Sequence, residues 1–127
     1  SNEHPLAKNE SVDLTEVASY PFIGFSEKSG IRSIIQDLFK EVNIVPNTIC
    51  EVEEDNAVAG LVEINYGIAV VPRISSLKYY NVKVLPIINP EHERFIYLAT
   101  LKNRYLTPSV NLFKKYSLGY SKKLLNK

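Results

Sequence analysis

Polar and apolar positions along this chain form short blocks whose period alternates between that of a helix and that of a strand. The sharpest block spans residues 54–73, EDNAVAGLVEINYGIAVVPR. Ala57, Val58, Leu61, Val62 and Ile64 recur at helical spacing, and Asp55 or Asn56 stands where a side chain accepts a hydrogen bond from the free first-turn amides. Asn65 takes the place of a left-handed helix stop, and Gly67 keeps the following turn short. Ile68, Ala69, Val70 and Val71 have no polar face, which predicts a strand covered on both sides and ended by Pro72.

The same patterning predicts a short helix over residues 12–19, with Leu14, Val17 and Ala18 on one side, and a strand over residues 20–25. After a loop at residues 26–30, Ile31, Ile34, Ile35, Leu38, Phe39 and Val42 form the single apolar stripe of a helix. Ser29 is its expected N-cap and Asn43 its left-handed stop. Residues 48–53 predict a second strand. Residues 82–88 predict an edge strand, because Pro86 has no N–H for a ladder. A further strand is expected over residues 95–101. Thr107 followed by Pro108 opens a last helix, with Val110, Phe113, Tyr116 and Tyr120 on one side. The order strand, helix, strand, helix, strand predicts an α/β fold with a mostly parallel sheet flanked by helices.

The chain has 127 residues, 45% of them hydrophobic, enough for one domain with its own core. Fifteen basic residues against fourteen acidic ones leave a net charge of +1, so no global field recruits nucleic acid or an anionic membrane. Lys114, Lys115, Lys122, Lys123 and Lys127 read as a solvated face and a frayed end. The lone Cys50 excludes an internal disulfide, and its apolar neighbours predict a buried structural thiol. No apolar run approaches the roughly 20 residues that span a bilayer. The start lacks the basic-then-apolar order of a secretory signal, so a cytoplasmic location is expected.

Candidate chemistry is sparse. Glu53, Glu54 and Asp55 outwardly resemble a paired general acid and base, but carboxylates on a surface turn stay ionised and inert. Ser29 has no base, since His4 and His92 both stand in polar loops, which argues against a hydrolase triad. Glu91, His92 and Glu93 point apart in an extended loop, and there is neither a glycine-rich phosphate loop nor a cysteine pair. No catalysis, metal or cofactor is expected. Tyr79 and Tyr80 read as a packing corner or an aromatic cleft wall, with packing preferred.

HPLA at residues 4–7, PFI at 21–23, SGIR at 29–32 and VEINYGIAVVP at 62–72 follow one another in an order that resembles the effector-binding domain of LysR-type transcriptional regulators, in its later portion. The family usually has glycine where this chain has Asn43 and Asn65, and asparagine is the side chain that best replaces glycine in a left-handed conformation. The resemblance implies a type II periplasmic-binding-protein-like fold: two α/β subdomains, a small-molecule effector between them and two crossing segments as hinge. It assigns residues 1–20 to the crossover and first short helix of the second subdomain, and residues 21–90 to that effector-binding subdomain. Residues 91–127 become the return strand and C-terminal helix of the first subdomain. The rest of the first subdomain and a winged helix-turn-helix that would bind DNA are expected outside this chain. Phe95, Ile96, Leu98, Val110 and Phe113 then lose part of their partner surface, and self-association through that patch, or domain swapping of the C-terminal strand and helix, is expected.

Within that resemblance the effector candidates lie where strands end and helices begin, because free amides and the helix dipole favour an anionic group there. Ser26, Glu27, Ser29 and Gly30 form the first place, with Arg32 nearby read as solvated. Glu53 and Glu54, beside Asp55, form the second; they cap and solvate a helix start, or meet a cationic or hydroxyl-rich part of an effector. The backbone of Val71 and Pro72 forms the third. The expected function is effector sensing for a transcription regulator. A solute-binding protein of the same fold class and a non-catalytic fragment of an enzyme are the alternatives.

Overall fold

The structure, a computed structural model, describes residues 1–125, so Lys127 of the lysine-rich tail lies outside the described residues. The chain divides into two compact units, Ser1–Glu93 and Arg94–Lys127.

The first unit is built around β2 (Pro21–Phe25), whose residues Phe22, Ile23, Gly24 and Phe25 are all buried. Four successive buried positions mean that both faces of the strand are covered. On one edge β2 pairs in parallel with β3 (Asn47–Val52), from Pro21 opposite Asn47 to Phe25 opposite Val52. On the other edge Ile23 N–H donates to Ile68 O at 2.8 Å, and Ile68 N–H donates to Pro21 O at 2.9 Å. The strand expected over residues 68–71 is reduced to this single parallel bridge. Beyond it Ala69, Val70 and Val71 are half-buried, because they line a partly open cavity of ≈ 150 Å³ instead of packing between two layers.

Gly67 permits the bridge. It is buried, and a Cβ there would lie 2.8 Å from Pro21 O and 3.2 Å from Ile23 Cγ1. The motif's glycine therefore serves a close backbone approach as well as a short turn.

The helices α1 (Arg32–Glu41) and α2 (Asp55–Glu63) stop in the same way. Asn43 has φ 55° and Asn65 φ 60°, both left-handed. After α1, Asn43 N–H donates to Lys40 O at 3.0 Å and Ile44 N–H to Phe39 O at 2.9 Å. After α2, Asn65 N–H donates to Val62 O at 2.9 Å and Tyr66 N–H to Leu61 O at 3.0 Å. These paired backward bonds satisfy carbonyls that the helix end would otherwise leave free.

The helix starts differ from expectation. Ile31 occupies the cap position of α1 and Glu54 that of α2, neither with a capping side-chain bond. Ser29 is taken up by a turn, donating its N–H to Ser26 O at 3.0 Å and accepting from Arg32 N–H at 3.2 Å. Asp55 stands inside the first turn of α2, where its charge complements the dipole.

A second small sheet pairs β1 (Val12–Asp13) in parallel with β4 (Ile87–Asn89). The edge strand expected over residues 82–88 shrinks to β4, yet Pro86 still contributes, since its carbonyl accepts from Val12 N–H at 3.0 Å. The short helix expected over residues 12–19 is a 3₁₀ segment at Leu14–Ser19. Its start is doubly capped: Thr15 N–H donates to Asp13 Oδ1 at 2.8 Å, and Asp13 N–H donates to Glu16 Oε1 at 3.2 Å. In the HPLA motif, His4 Nδ1 accepts from Leu6 N–H at 3.2 Å and caps the 3₁₀ turn Pro5–Lys8. The ring of His4 meets that of Tyr20 edge-on at 4.6 Å. Burial, with the amino-terminal charge, pushes the His4 imidazolium below its ordinary value, in keeping with a ring nitrogen that must accept.

The core joins Leu14 and Val17 to Phe22, Ile23 and Phe25 of β2, to Ile35, Leu38 and Phe39 of α1, and to Val58 of α2. Phe22 and Phe39 pack edge to face at 5.2 Å. Cys50 is a free thiol and only half-buried, because β3 borders β2 alone and its outer edge is open. Tyr79 is 78% exposed with Lys78 Nζ 5.0 Å from its ring centre, so it is no packing corner.

In the second unit, α3 (Pro108–Leu125) begins after Thr107 as the cap-then-proline pattern predicts, with Asn111 N–H donating to Thr107 O at 3.0 Å. Residues 95–101 carry no strand. A strand requires a neighbour to receive its ladder bonds, and the described residues of this unit supply none. Phe95, Ile96, Leu98, Val110 and Phe113 are all exposed.

Gly67→Ala is expected to destabilise the chain by roughly 1–3 kcal/mol in urea denaturation, because the new methyl meets backbone that cannot swing aside. A second outcome concerns acid. Bonds from the Thr15 hydroxyl and amide and from Asn89 hold the Asp13 carboxyl below the usual carboxylate range, against a smaller opposing effect of burial. The unfolded chain then binds this proton first, so the contribution is fully present above about pH 4 and is lost as pH falls through the lowered folded value. Asp13→Asn keeps the cap acceptor without the charge and is expected to flatten stability against pH below about pH 4 in a denaturation series.

Candidate functional site

The parallel pairing of β2 and β3 carries the chain to the same end of the sheet twice, and there the first two predicted clusters meet. Ser26 N–H donates to Val52 O at 2.9 Å, extending the ladder one residue beyond β2. Lys28 Nζ lies 3.3 Å from Glu53 Oε1, linking the loop before α1 to the loop before α2. Both partners of that pair are well exposed, so it contributes little stability, but it places the two loops side by side.

Within the first cluster, Glu27 and Gly30 are exposed and Ser26 and Ser29 half-buried. Gly30 has nothing within 4 Å of where a Cβ would stand, so its backbone is open on that side. The Ser26 hydroxyl is different: Oγ is buried and has no hydrogen-bond partner. Such a group costs roughly 1–3 kcal/mol and calls for a reason.

In the second cluster Glu53 and Glu54 are exposed, and Glu54 O accepts from Ala57 N–H at 3.0 Å and Val58 N–H at 3.1 Å to start α2. The third place is not drawn into this group by any hydrogen bond. Segment 68–72 runs parallel to β2 toward the same end, but Val71 lines the ≈ 150 Å³ cavity and Pro72 is half-buried. That cavity is bounded by Leu14, Val17, Val58, Val62, Leu77 and Ile87, and it holds none of the other predicted residues.

Arg32 departs most from the sequence reading. Its guanidinium Nη1 donates to Phe25 O at 2.8 Å and lies 2.7 Å from Glu51 Oε2, with the side chain only 23% exposed. The Glu51 hydrogen bond, aided by the charges of Glu51 and Glu27 and opposed by burial, raises the guanidinium above its ordinary value. One side chain thus ties the first residue of α1 to the end of β2 and to β3. Glu51, a carboxylate inside the otherwise apolar run ICEV, was the signal available for this partner. Arg32 and Glu51 also border a groove of ≈ 350 Å³ with Phe22, Ile35, Phe39 and Thr48.

Among the described residues, no group of three or more His, Cys, Asp or Glu is arranged to hold a metal ion, and no helix is long and apolar enough to cross a membrane.

The family model of the LysR substrate binding domain matches residues 1–120. The chain belongs to this LysR family. It is 34% identical over 119 residues to the uncharacterized HTH-type transcriptional regulator YybE of Bacillus subtilis (strain 168), covering 94% of this chain and 41% of that protein. It is 31% identical over 124 residues to the transcriptional dual regulator GltC of the same organism, covering 95% of this chain and 41% of that protein. Among solved structures, the effector binding domain of QuiR in complex with shikimate superposes with a TM-score of 0.85 at 54% identity, over 97% of this chain and 59% of that one. The chain therefore spans less than half the length of these two regulators. The relatives are transcriptional regulators and not enzymes, and their LysR effector-binding domains share the α/β, type II periplasmic-binding-protein-like fold.

Arg32→Gln is expected to speed amide exchange across residues 26–30 while the middle of α1 stays protected, measured by hydrogen–deuterium exchange. Arg32→Lys keeps the charge without the fork that spans Phe25 O and Glu51, and is expected to rescue only part of that protection.

Proposed function

We propose that this chain is the effector-sensing part of a LysR-type transcription regulator, binding a small molecule at the ends of β2 and β3 and taking no catalytic role. The carrying observation is the Ser26 hydroxyl, buried and unpartnered where the two predicted loops meet. An effector oxygen at this point gives the hydroxyl its missing bond, and Ser29, Gly30, Glu27, Glu53 and Glu54 complete the wall around it. Val71 and Pro72 belong to the same wall through their backbone.

The similarity to a domain complexed with shikimate supports a hydroxylated carboxylic acid as the effector class. Ser26, Ser29 and Glu53 suit the hydroxyls of such a molecule, and the open backbone at Gly30 suits its carboxylate. In this reading residues 1–20 form a crossover, residues 21–90 one effector-binding subdomain and residues 91–127 the return path into another, whose remainder supplies the opposite wall. The signal passes as a change in the angle between subdomains, which respaces DNA-binding heads elsewhere in the protein. DNA is contacted only through a helix-turn-helix domain outside this chain, as the names of its relatives suggest, and the protein works in the cytoplasm. Exposed Phe95, Ile96, Leu98, Val110 and Phe113 support self-association of the chain by itself.

A thermal-shift screen of the full-length regulator against shikimate, aromatic acids, amino acids, sugars and inorganic anions tests the reading, since a ligand that binds only the native state raises its melting temperature. Stabilisation by hydroxylated acids is expected, with Ser26→Ala making the unliganded protein more stable, since it removes an unpartnered buried hydroxyl, and weakening the effector about fivefold, the worth of one hydrogen bond. An unchanged affinity in both Ser26→Ala and Glu53→Gln would remove this site.

A further inference from the structure

The two loops that meet beyond β2 and β3 are rich in carboxylates. Glu27, Glu53, Glu54 and Asp55 stand there with a single cation in residues 26–30, Lys28. An acid brought to such a wall is repelled unless a positive group receives it.

The other cations of residues 1–93 are engaged or placed on other elements. Arg32 is committed to Phe25 O and Glu51, and Lys40 Nζ lies 2.9 Å from Asp37 Oδ1. Lys8 and Lys78 belong to the 3₁₀ turns Pro5–Lys8 and Ser75–Tyr79, and Lys83 borders the ≈ 150 Å³ cavity, which neither loop lines. Arg73 is exposed after the third predicted segment, and no hydrogen bond or ion pair among the described residues joins it to either loop.

Lys28 differs from all of these. Its Nζ lies 3.3 Å from Glu53 Oε1, with 83% of the lysine side chain and 55% of the glutamate side chain exposed. A pair so open to water contributes little, and it exchanges partners readily because a new carboxylate replaces a similar one. Lys28 also stands two residues from the buried, unpartnered Ser26 hydroxyl and two from the open backbone of Gly30.

We propose that Lys28 recognises the carboxylate of the effector, and that Glu53 is the counter-ion which the effector displaces. The incoming carboxylate takes the place of Glu53 on Lys28 Nζ, and the released Glu53 accepts a hydrogen bond from an effector hydroxyl. One exchange thus reads two groups: the lysine selects an anion, and the freed glutamate selects a hydroxyl donor beside it. An acid without hydroxyls leaves Glu53 with no donor, and a neutral polyol leaves the ion pair closed. This inference rests on the effector site proposed above and adds the residue that reads the effector's charge.

Isothermal titration calorimetry of the full-length regulator with shikimate and with its uncharged methyl ester tests it. Shikimate is expected to bind about tenfold tighter than the ester. Lys28→Met is expected to weaken shikimate about tenfold while the ester stays within about twofold and the melting temperature is unchanged, and Lys28→Arg restores most of the loss. Adding Glu53→Gln to Lys28→Met is expected to return part of the affinity for shikimate, because the carboxylate left facing the anion is gone. Arg73→Met is expected to change neither ligand. Equal losses of shikimate and ester in Lys28→Met, or a loss of shikimate in Arg73→Met instead, would overturn the assignment. If Ser26→Ala weakens both compounds and Lys28→Met weakens neither, the site stands and this inference falls; if the unaltered regulator binds neither compound, the two fall together.

Discussion

The backbone of β2 is bonded along both edges while its side chains are buried on both faces, and the rest of the first unit depends on that arrangement. A strand so enclosed has no water for its amides and carbonyls, so each neighbour must approach closely enough to bond them. β3 does so along one edge. On the other edge the work falls to Ile68, which reaches Ile23 and Pro21 only because Gly67 has no side chain to fill the 2.8 Å between its Cβ position and Pro21 O. The left-handed stop at Asn65 aims the chain at this contact, and α2 is held over the core as a result.

The candidate site inherits its geometry from the same strand. Two parallel strands deliver two loops to one end of the sheet, and Arg32 anchors the first of them through Phe25 O and Glu51. The loop is therefore positioned by backbone pairing and a partly buried ion pair, while Glu27, Gly30, Glu53 and Glu54 are exposed, Glu53 in an ion pair with Lys28. In the proposed reading this end of the sheet is one wall of a two-subdomain sensor, affinity comes from closure on a second wall, and closure is the signal.

Much of the fold was legible in the chain, and so was the position of the two loops after the strands, whereas the Lys28–Glu53 pair that joins them was not. Asn43 and Asn65 were readable as helix stops because a left-handed residue after an apolar stripe is a local pattern, and both have positive φ. β2, β3, α1, α2 and α3 all fall where periodicity places them. Two of the misses share a cause: residues 95–101 look like a strand but find no neighbour, and Arg32 looks solvated but finds Glu51, so each depends on a partner remote in the chain or on whether one is present at all. The third is local, because Ser29 looks like a cap but is consumed by a turn with Ser26 that competes for the same residues.

By itself the sequence determined where helices begin to form and where they must stop, which runs are apolar enough to be buried, and which family the ordered motifs resemble. These properties rest on interactions within about five residues, such as the backward bonds from Ile44 to Phe39 and from Tyr66 to Leu61. Only the tertiary structure decided that Ile68 meets β2 at a single bridge of two hydrogen bonds and that the residues after it line a cavity, that β4 pairs with β1 across more than seventy residues, and that the Ser26 hydroxyl is buried without a partner. Those outcomes are set by which distant groups arrive within bonding distance, and a pattern along one chain carries no measure of that distance.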